Sequence, residues 1–210
     1  MTRFNILTLA LCLFSLKATV ASIIDFDDTS DLPSQQCLQA FQGIKDQHKD
    51  NDCLPVDKVM PLVVQIKRDP TGSTAQMNQI ADIICQQAPV CTPEFIEGFK
   101  RDITTHCVGQ DATNSLVTGT ITLLNNYTPA REMGCLKNSS NGAYCAVEAA
   151  QWILKNHPNL DDLDNIQPTK EMCTPCTKGW IEQRDKYAPQ YPDLQKEKFL
   201  PKLKTVCQSQ

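Results

Sequence analysis

The chain reads as all-α, a disulfide-stapled bundle of about seven to nine short helices forming a single compact unit. Three observations point there. Apolar residues recur at three- and four-residue spacing in segment after segment, and no segment alternates convincingly as a strand. Serine, threonine and proline punctuate those segments at positions where helices begin. Cysteines, 11 in all, run from one end of the chain to the other, a usage typical of proteins that oxidise along the secretory route.

Taken in order, residues 1–21 read as a signal peptide. Arg3 supplies the positive start, Ile6 to Leu16 the apolar run, and Thr19-Val20-Ala21 small residues for cleavage near Ala21. The run is shorter than the roughly 20 apolar residues a membrane span needs. No later segment reads as a span, and the C-terminus lacks the tail of a lipid-anchor signal. Residues 22–33 read as a flexible lead made acidic by Asp25, Asp27, Asp28 and Asp31, and residues 34–210 as a disulfide-rich helical domain.

Within that domain, Ser34 caps a helix running to about Lys49, and Pro55 opens a second with Val56, Val59, Met60 and Val63 on one face. Ser73 and Gln76 have the spacing of a capping box ahead of Met77, Ile80, Ala81 and Ile84. Thr92-Pro93, Thr128-Pro129 and Thr174-Pro175 each pair a cap residue with proline at the first helical position. Amphipathic stretches follow at Leu116, Val117, Thr120, Ile121, Leu124 and Tyr127, and at Ala146, Val147, Ala150, Ile153 and Leu154. Trp180, Tyr187, Phe199 and Leu203 line the last two helices.

Cys12 leaves with the signal. Cys37, Cys53, Cys85, Cys91, Cys107, Cys135, Cys145, Cys173, Cys176 and Cys207 remain, an even set expected to close completely into disulfides. They fall equally before and after residue 110. An odd number in each half requires at least one bridge between the halves, which makes them one covalent unit. Connectivity itself stays open among about 945 pairings. The two halves have similar cysteine spacing, as an old duplication would leave, although their side chains share little.

In this order, Cys53-Leu54-Pro55, Cys135-Leu136, Tyr144-Cys145 and Cys173-Thr174-Pro175-Cys176, with Cys37, Cys85, Cys91, Cys107 and a terminal Cys207, resemble a group of secreted fungal ten-cysteine helical proteins of unassigned function. The resemblance covers residues 37 to 207. It implies a fungal source and an extracellular, helical, disulfide-bonded product, and it implies no activity.

The formal net charge is −4 and becomes more negative once Arg3 and Lys17 leave with the signal. Nucleic acid is therefore not an expected partner, nor is a broadly anionic membrane. The stretch from Lys178 to Lys204 is locally basic, which reads as a solvated helix face. Sequons at Asn138-Ser139-Ser140 and Asn126-Tyr127-Thr128 are candidate glycosylation sites, the second weakened by Pro129.

Cys173-Thr174-Pro175-Cys176 is the sharpest chemical motif. A CxxC opening a helix suits thiol–disulfide exchange, because the helix dipole stabilises a thiolate. Its usual setting is a thioredoxin-like α/β fold, for which strands are missing, and a structural role accounts for Pro175 equally well. His48, His106 and His157 form no HxxxH or HExxH pair, so no metal site is expected. Asn159, Asp161, Asp162 and Asp164 lack the glycine and terminal glutamate of a calcium loop, Lys170 standing at its twelfth position. No GxSxG is present, and no catalytic residue or cofactor is assigned. The functional expectation is a secreted, non-enzymatic helical protein, extracellular in location, that binds an extracellular protein, a surface or a small apolar ligand. An extracellular carrier of a lipid or small apolar ligand, with stripes such as Ile121, Leu124 and Ile153 around a cavity, is the first alternative. A thiol–disulfide oxidoreductase using Cys173 and Cys176 is the second.

Overall fold

The computed structural model describes residues 33–47, 53–69, 73–156 and 166–209. The signal and nearly all of the acidic lead lie outside them, as do His48, His157 and the acidic cluster from Asn159 to Asp164.

Among the described residues the chain is helical, with only one isolated antiparallel bridge, Lys137 to Tyr144. Ten α-helices follow one another: α1 (Gln35–Gln47), α2 (Val56–Arg68), α3 (Thr74–Asp82), α4 (Pro93–His106), α5 (Ser115–Asn125), α6 (Tyr127–Gly134), α7 (Cys145–Asn156), α8 (Pro175–Tyr187), α9 (Pro192–Lys196) and α10 (Phe199–Gln208). The all-α expectation holds, and the short α9 is the piece beyond the expected helices. Pro192 opens it between the helix lined by Trp180 and Tyr187 and the one lined by Phe199 and Leu203.

Local chemistry sets several of these starts. The Ser34 hydroxyl accepts from the Cys37 amide at 3.3 Å, and Thr92 accepts from Phe95 N at 3.2 Å with Pro93 behind it. Thr174 accepts from Thr177 N at 3.3 Å, with Pro175 at the first helical position. Each satisfies an amide that the helix itself leaves without a partner. Two expected starts form differently. Ser73 has φ −87° and ψ 13°, not the extended backbone of a capping box, and its side chain makes no cap bond. The buried Gln76 Oε1 correspondingly has no hydrogen-bond partner. Thr128 is not a cap either: α6 already begins at Tyr127, and Asn126 precedes it.

The interior divides into packed clusters. α1 lies on α4, and between them Cys37, Ile103, Cys107, Phe95 and Ile96 join Val117, Leu124 and Tyr127 from α5 and α6. A second cluster gathers Met133, Cys145, Cys176, Trp180, Leu200 and Leu203, with α8 packed on α6 and α10. A smaller one, Met77, Ala81, Tyr144, Val147 and Ala150, seats α3 on α7 and joins the two halves. Ile103 and Leu200, 0 % and 1 % exposed, mark the centres of the two larger clusters. Truncating side chains buried like these to alanine costs about 2–5 kcal/mol.

Five disulfides close all ten cysteines among the described residues: Cys37–Cys107, Cys53–Cys91, Cys85–Cys135, Cys145–Cys176 and Cys173–Cys207. Cys85–Cys135 is the bridge between halves that the odd counts require. Cys85 reaches it from a short π-helix, Ile83–Gln87, that continues α3.

Candidate functional site

The CTPC segment is where sequence chemistry and structure concentrate most. A single 3₁₀ turn, Lys170–Met172, runs into Cys173. Thr174 then caps α8, and Cys176 enters the first turn with 3 % exposure. The Thr177 hydroxyl donates back to the Met172 carbonyl, closing the corner. Trp180 Nε1 donates to Met133 O at 3.0 Å and holds α8 on α6. Gly179 allows the close approach there, since a Cβ would meet Leu136 Cδ1 at 3.3 Å.

The two cysteines of the motif are not partners. Cys176 is bonded backward to Cys145 at the start of α7, and Cys173 forward to Cys207 in α10. Neither sulfur carries a proton or a negative charge in this state, so the helix dipole at α8 has no thiolate to stabilise. A carboxylate oxygen of Glu148 lies 3.3 Å from Cys176 Sγ. That carboxylate also accepts from Asn138 Nδ2 and Asn141 Nδ2, each at 2.8 Å.

Asn138 and Asn141 belong to the turn between α6 and α7, the KNSSNG stretch. Asn138 Oδ1 accepts from Ser140 N and Asn141 Oδ1 from Ala143 N, both at 2.9 Å. Gly142 takes φ +74°, a left-handed conformation that glycine adopts without strain. Asn138 itself is 8 % exposed and Asn126 is 5 % exposed. Asn126 Nδ2 donates to Thr122 O at 2.9 Å and to Asp193 Oδ2 at 3.1 Å, tying the α5–α6 junction to α9. Both sequon asparagines are therefore inside the fold rather than displayed by it.

The basic C-terminal stretch is largely matched by nearby acids. Lys186 reaches Glu132 at 2.8 Å and Lys204 reaches Asp185 at 2.7 Å. Hydrogen bonds from those lysines hold the Glu132 and Asp185 carboxyls below their ordinary range. Glu197 is the exception that sequence reasoning missed. Its residue is 2 % exposed, its Oε1 accepts from Phe199 N and Leu200 N at 2.5 and 3.0 Å, and it thereby caps α10. Its other oxygen faces Arg184 Nε across 4.0 Å, with neither atom hydrogen-bonded. Burial pushes this carboxyl up, against the two amides and Arg184 that lower it. A lysine-flanked glutamate in KEKF gave no sign of such burial.

A second polar knot joins the halves. Tyr144 OH donates to Asp82 Oδ1 at 2.8 Å and accepts from Gln86 Nε2 at 2.7 Å, and Lys137 Nζ sits 4.7 Å above the Tyr144 ring. Burial raises the Tyr144 hydroxyl above its ordinary value. His106 is exposed at the end of α4, its Nδ1 2.8 Å from Asp102 O. Among the described residues no group of three or more histidine, cysteine, aspartate or glutamate side chains is placed to hold a metal ion. No described helix is long and apolar enough to cross a membrane. Ile121 and Leu124 pack in the α1–α4–α5 cluster, and Ile153 is buried at 6 %.

These features define a class: an all-α module whose ten described cysteines are all engaged in disulfides within the fold. The family model described as "Domain of unknown function (DUF7729)" matches residues 20–190, and the chain belongs to that family. No curated protein and no solved structure matches it.

Proposed function

We propose that this is a secreted protein of fungal type that works by binding rather than by turnover, at or outside the cell surface. The observation that carries the reading is the closure of all ten cysteines into five bridges across one helical unit. Such a framework suits persistence in an oxidising medium, each bridge contributing about 2–4 kcal/mol. The chemistry of the interior supports the same reading. Glu197, Asn126 and Asn138 serve helix caps and ties between elements, each with its own separate partners. The separate partners of Cys173 and Cys176 favour structural bridges over an exchange couple.

The test is the native intact mass of the secreted protein after trapping free thiols with a mass tag. The expected result is no tag and no adduct, with the leader removed. Two tags mapping to Cys173 and Cys176 would replace this reading with the oxidoreductase, provided C173S/C176S loses activity in insulin reduction while staying folded. A retained adduct of lipid size would replace it with the carrier.

A further inference from the structure

We infer that neither sequon is occupied in the native protein, and that Asn138 and Asn126 are structural residues whose buried side chains exclude a glycan. N-glycosylation replaces one Nδ2 hydrogen by the anomeric carbon of a sugar. The proton departs, and the lipid pyrophosphate that carried the sugar is the leaving group. The modified nitrogen keeps a single N–H and must project its sugar into solvent.

Asn126 cannot meet either demand within this fold. Its Nδ2 uses both hydrogens, one on Thr122 O at 2.9 Å and one on Asp193 Oδ2 at 3.1 Å, in a residue 5 % exposed. A sugar there would remove the tie to α9 and push α9 off the α5–α6 junction. Asn138 Nδ2 points inward to Glu148 Oε2 at 2.8 Å, and the residue is 8 % exposed. Its Oδ1 is held by Ser140 N at 2.9 Å, and its backbone N and O bond Ala143 and Gly142, both at 2.8 Å. The asparagine is fixed at both ends, so its Nδ2 cannot swing outward without opening the turn. Glu148 in turn sits against the Cys145–Cys176 bridge. Opening this turn would therefore disturb the corner that carries two disulfides.

The side chains that make these motifs readable to a transferase, Thr128 and Ser140, are exposed. The sequons can therefore be erased without touching either asparagine. The experiment uses the full chain in a eukaryotic secretory host in which the T113N variant, with its new sequon on the exposed turn ahead of Ser115, carries a glycan. Wild type, T128A and S140A are secreted from that host, treated with an N-glycosidase and peptide-mapped. The expected result is no glycan and no glycosidase shift in wild type, with unaltered Tm in T128A and S140A. N138A and N126A, by contrast, should each lower Tm by about 2–4 °C, as loss of a buried hydrogen-bonding group does in a domain of this size. Glycan mapped to Asn126 or Asn138 of the folded wild type would overturn the inference, as would wild-type Tm in both asparagine variants.

Discussion

The two halves of this molecule use the same number of cysteines at similar spacing, yet they are stapled differently. In the first half the bridges nest: Cys37–Cys107 spans 70 residues and encloses Cys53–Cys91, which spans 38. In the second they interleave: Cys145–Cys176 and Cys173–Cys207 span 31 and 34 residues and cross within the CTPC motif. Nesting suits the antiparallel seat of α1 on α4, whose far ends it joins. Interleaving makes α8 a hub, tied backward to α7 and forward to α10 from one helix start. The three-residue separation of Cys173 and Cys176 is what allows both ties to leave the same turn. Similar spacing therefore conceals different topology, and the halves are not copies in the way their cysteine intervals suggest.

What joins the halves sets the largest expected effect. Cys85–Cys135 is the one disulfide between them. Replacing both cysteines by alanine should cost about 2–5 kcal/mol and should weaken the coupling of the halves, which are otherwise joined by α3 on α7, by the Tyr144 knot and by Val117, Leu124 and Tyr127 packing into the first cluster. Calorimetry of C85A/C135A is expected to resolve two transitions where the parent has one. A single transition of unchanged width would mean that the packed clusters shared by the halves keep them cooperative without the bridge. Tyr144→Phe probes the same junction more gently. It removes the hydroxyl shared by Asp82 and Gln86 while keeping the ring in its cluster. The expected loss is about 1 kcal/mol by denaturant unfolding, and no loss would show that the knot only fills the junction.

How far this comparison could be seen in advance depends on the range of the interactions involved. Thr92-Pro93 and Thr174-Pro175 were legible because a cap is settled within four residues. The need for a bridge between halves was legible because it follows from odd counts alone. The choice of Cys85 and Cys135 was not, since pairing depends on where helices meet. Ser73-Gln76 looked like a capping box by spacing, and tertiary packing gave Ser73 a different backbone. Asn138 sits in a polar, surface-like string, and only the fold of the turn onto Glu148 buries it. Glu197 is hidden among lysines in sequence and caps α10 from inside.

Glu197 gives the second half a pH dependence that the first half has no counterpart for among the groups described. Burial raises its folded pKa above the ordinary value of 4.5. The folded state therefore holds this proton more tightly than the unfolded state. Ionised Glu197 costs stability above the folded pKa, and the cost is relieved as pH falls through that pKa toward 4.5. Glu132 and Asp185 act in the opposite sense, their lowered pKa values giving stability that is lost on acidification. The difference in unfolding free energy between wild type and E197Q isolates the first effect, because glutamine does not titrate. That difference should move in favour of wild type between pH 7 and pH 5, and movement toward E197Q would mean that Arg184 and the two amides outweigh burial.

The smallest effect is the one that separates the two stapling patterns most directly. In a chain-entropy treatment, closing Cys53–Cys91 shortens the loop that Cys37–Cys107 must still close to about half its 70-residue length. The outer bridge then contributes less when the inner one is present, by about 0.7 kcal/mol, from the logarithm of that ratio. No such shortcut exists between Cys145–Cys176 and Cys173–Cys207, because neither bridge lies inside the other's loop. A double-mutant cycle removing the bridges one at a time and together should give a coupling of about 0.7 kcal/mol in the first half and near zero in the second. Packing adds to both cycles, since the four sulfurs removed in each cycle lie in or against one apolar cluster. The difference between the cycles is therefore the quantity to measure. Equal couplings would mean that the bridges act through native packing rather than through the unfolded chain, and that nesting and interleaving are thermodynamically alike.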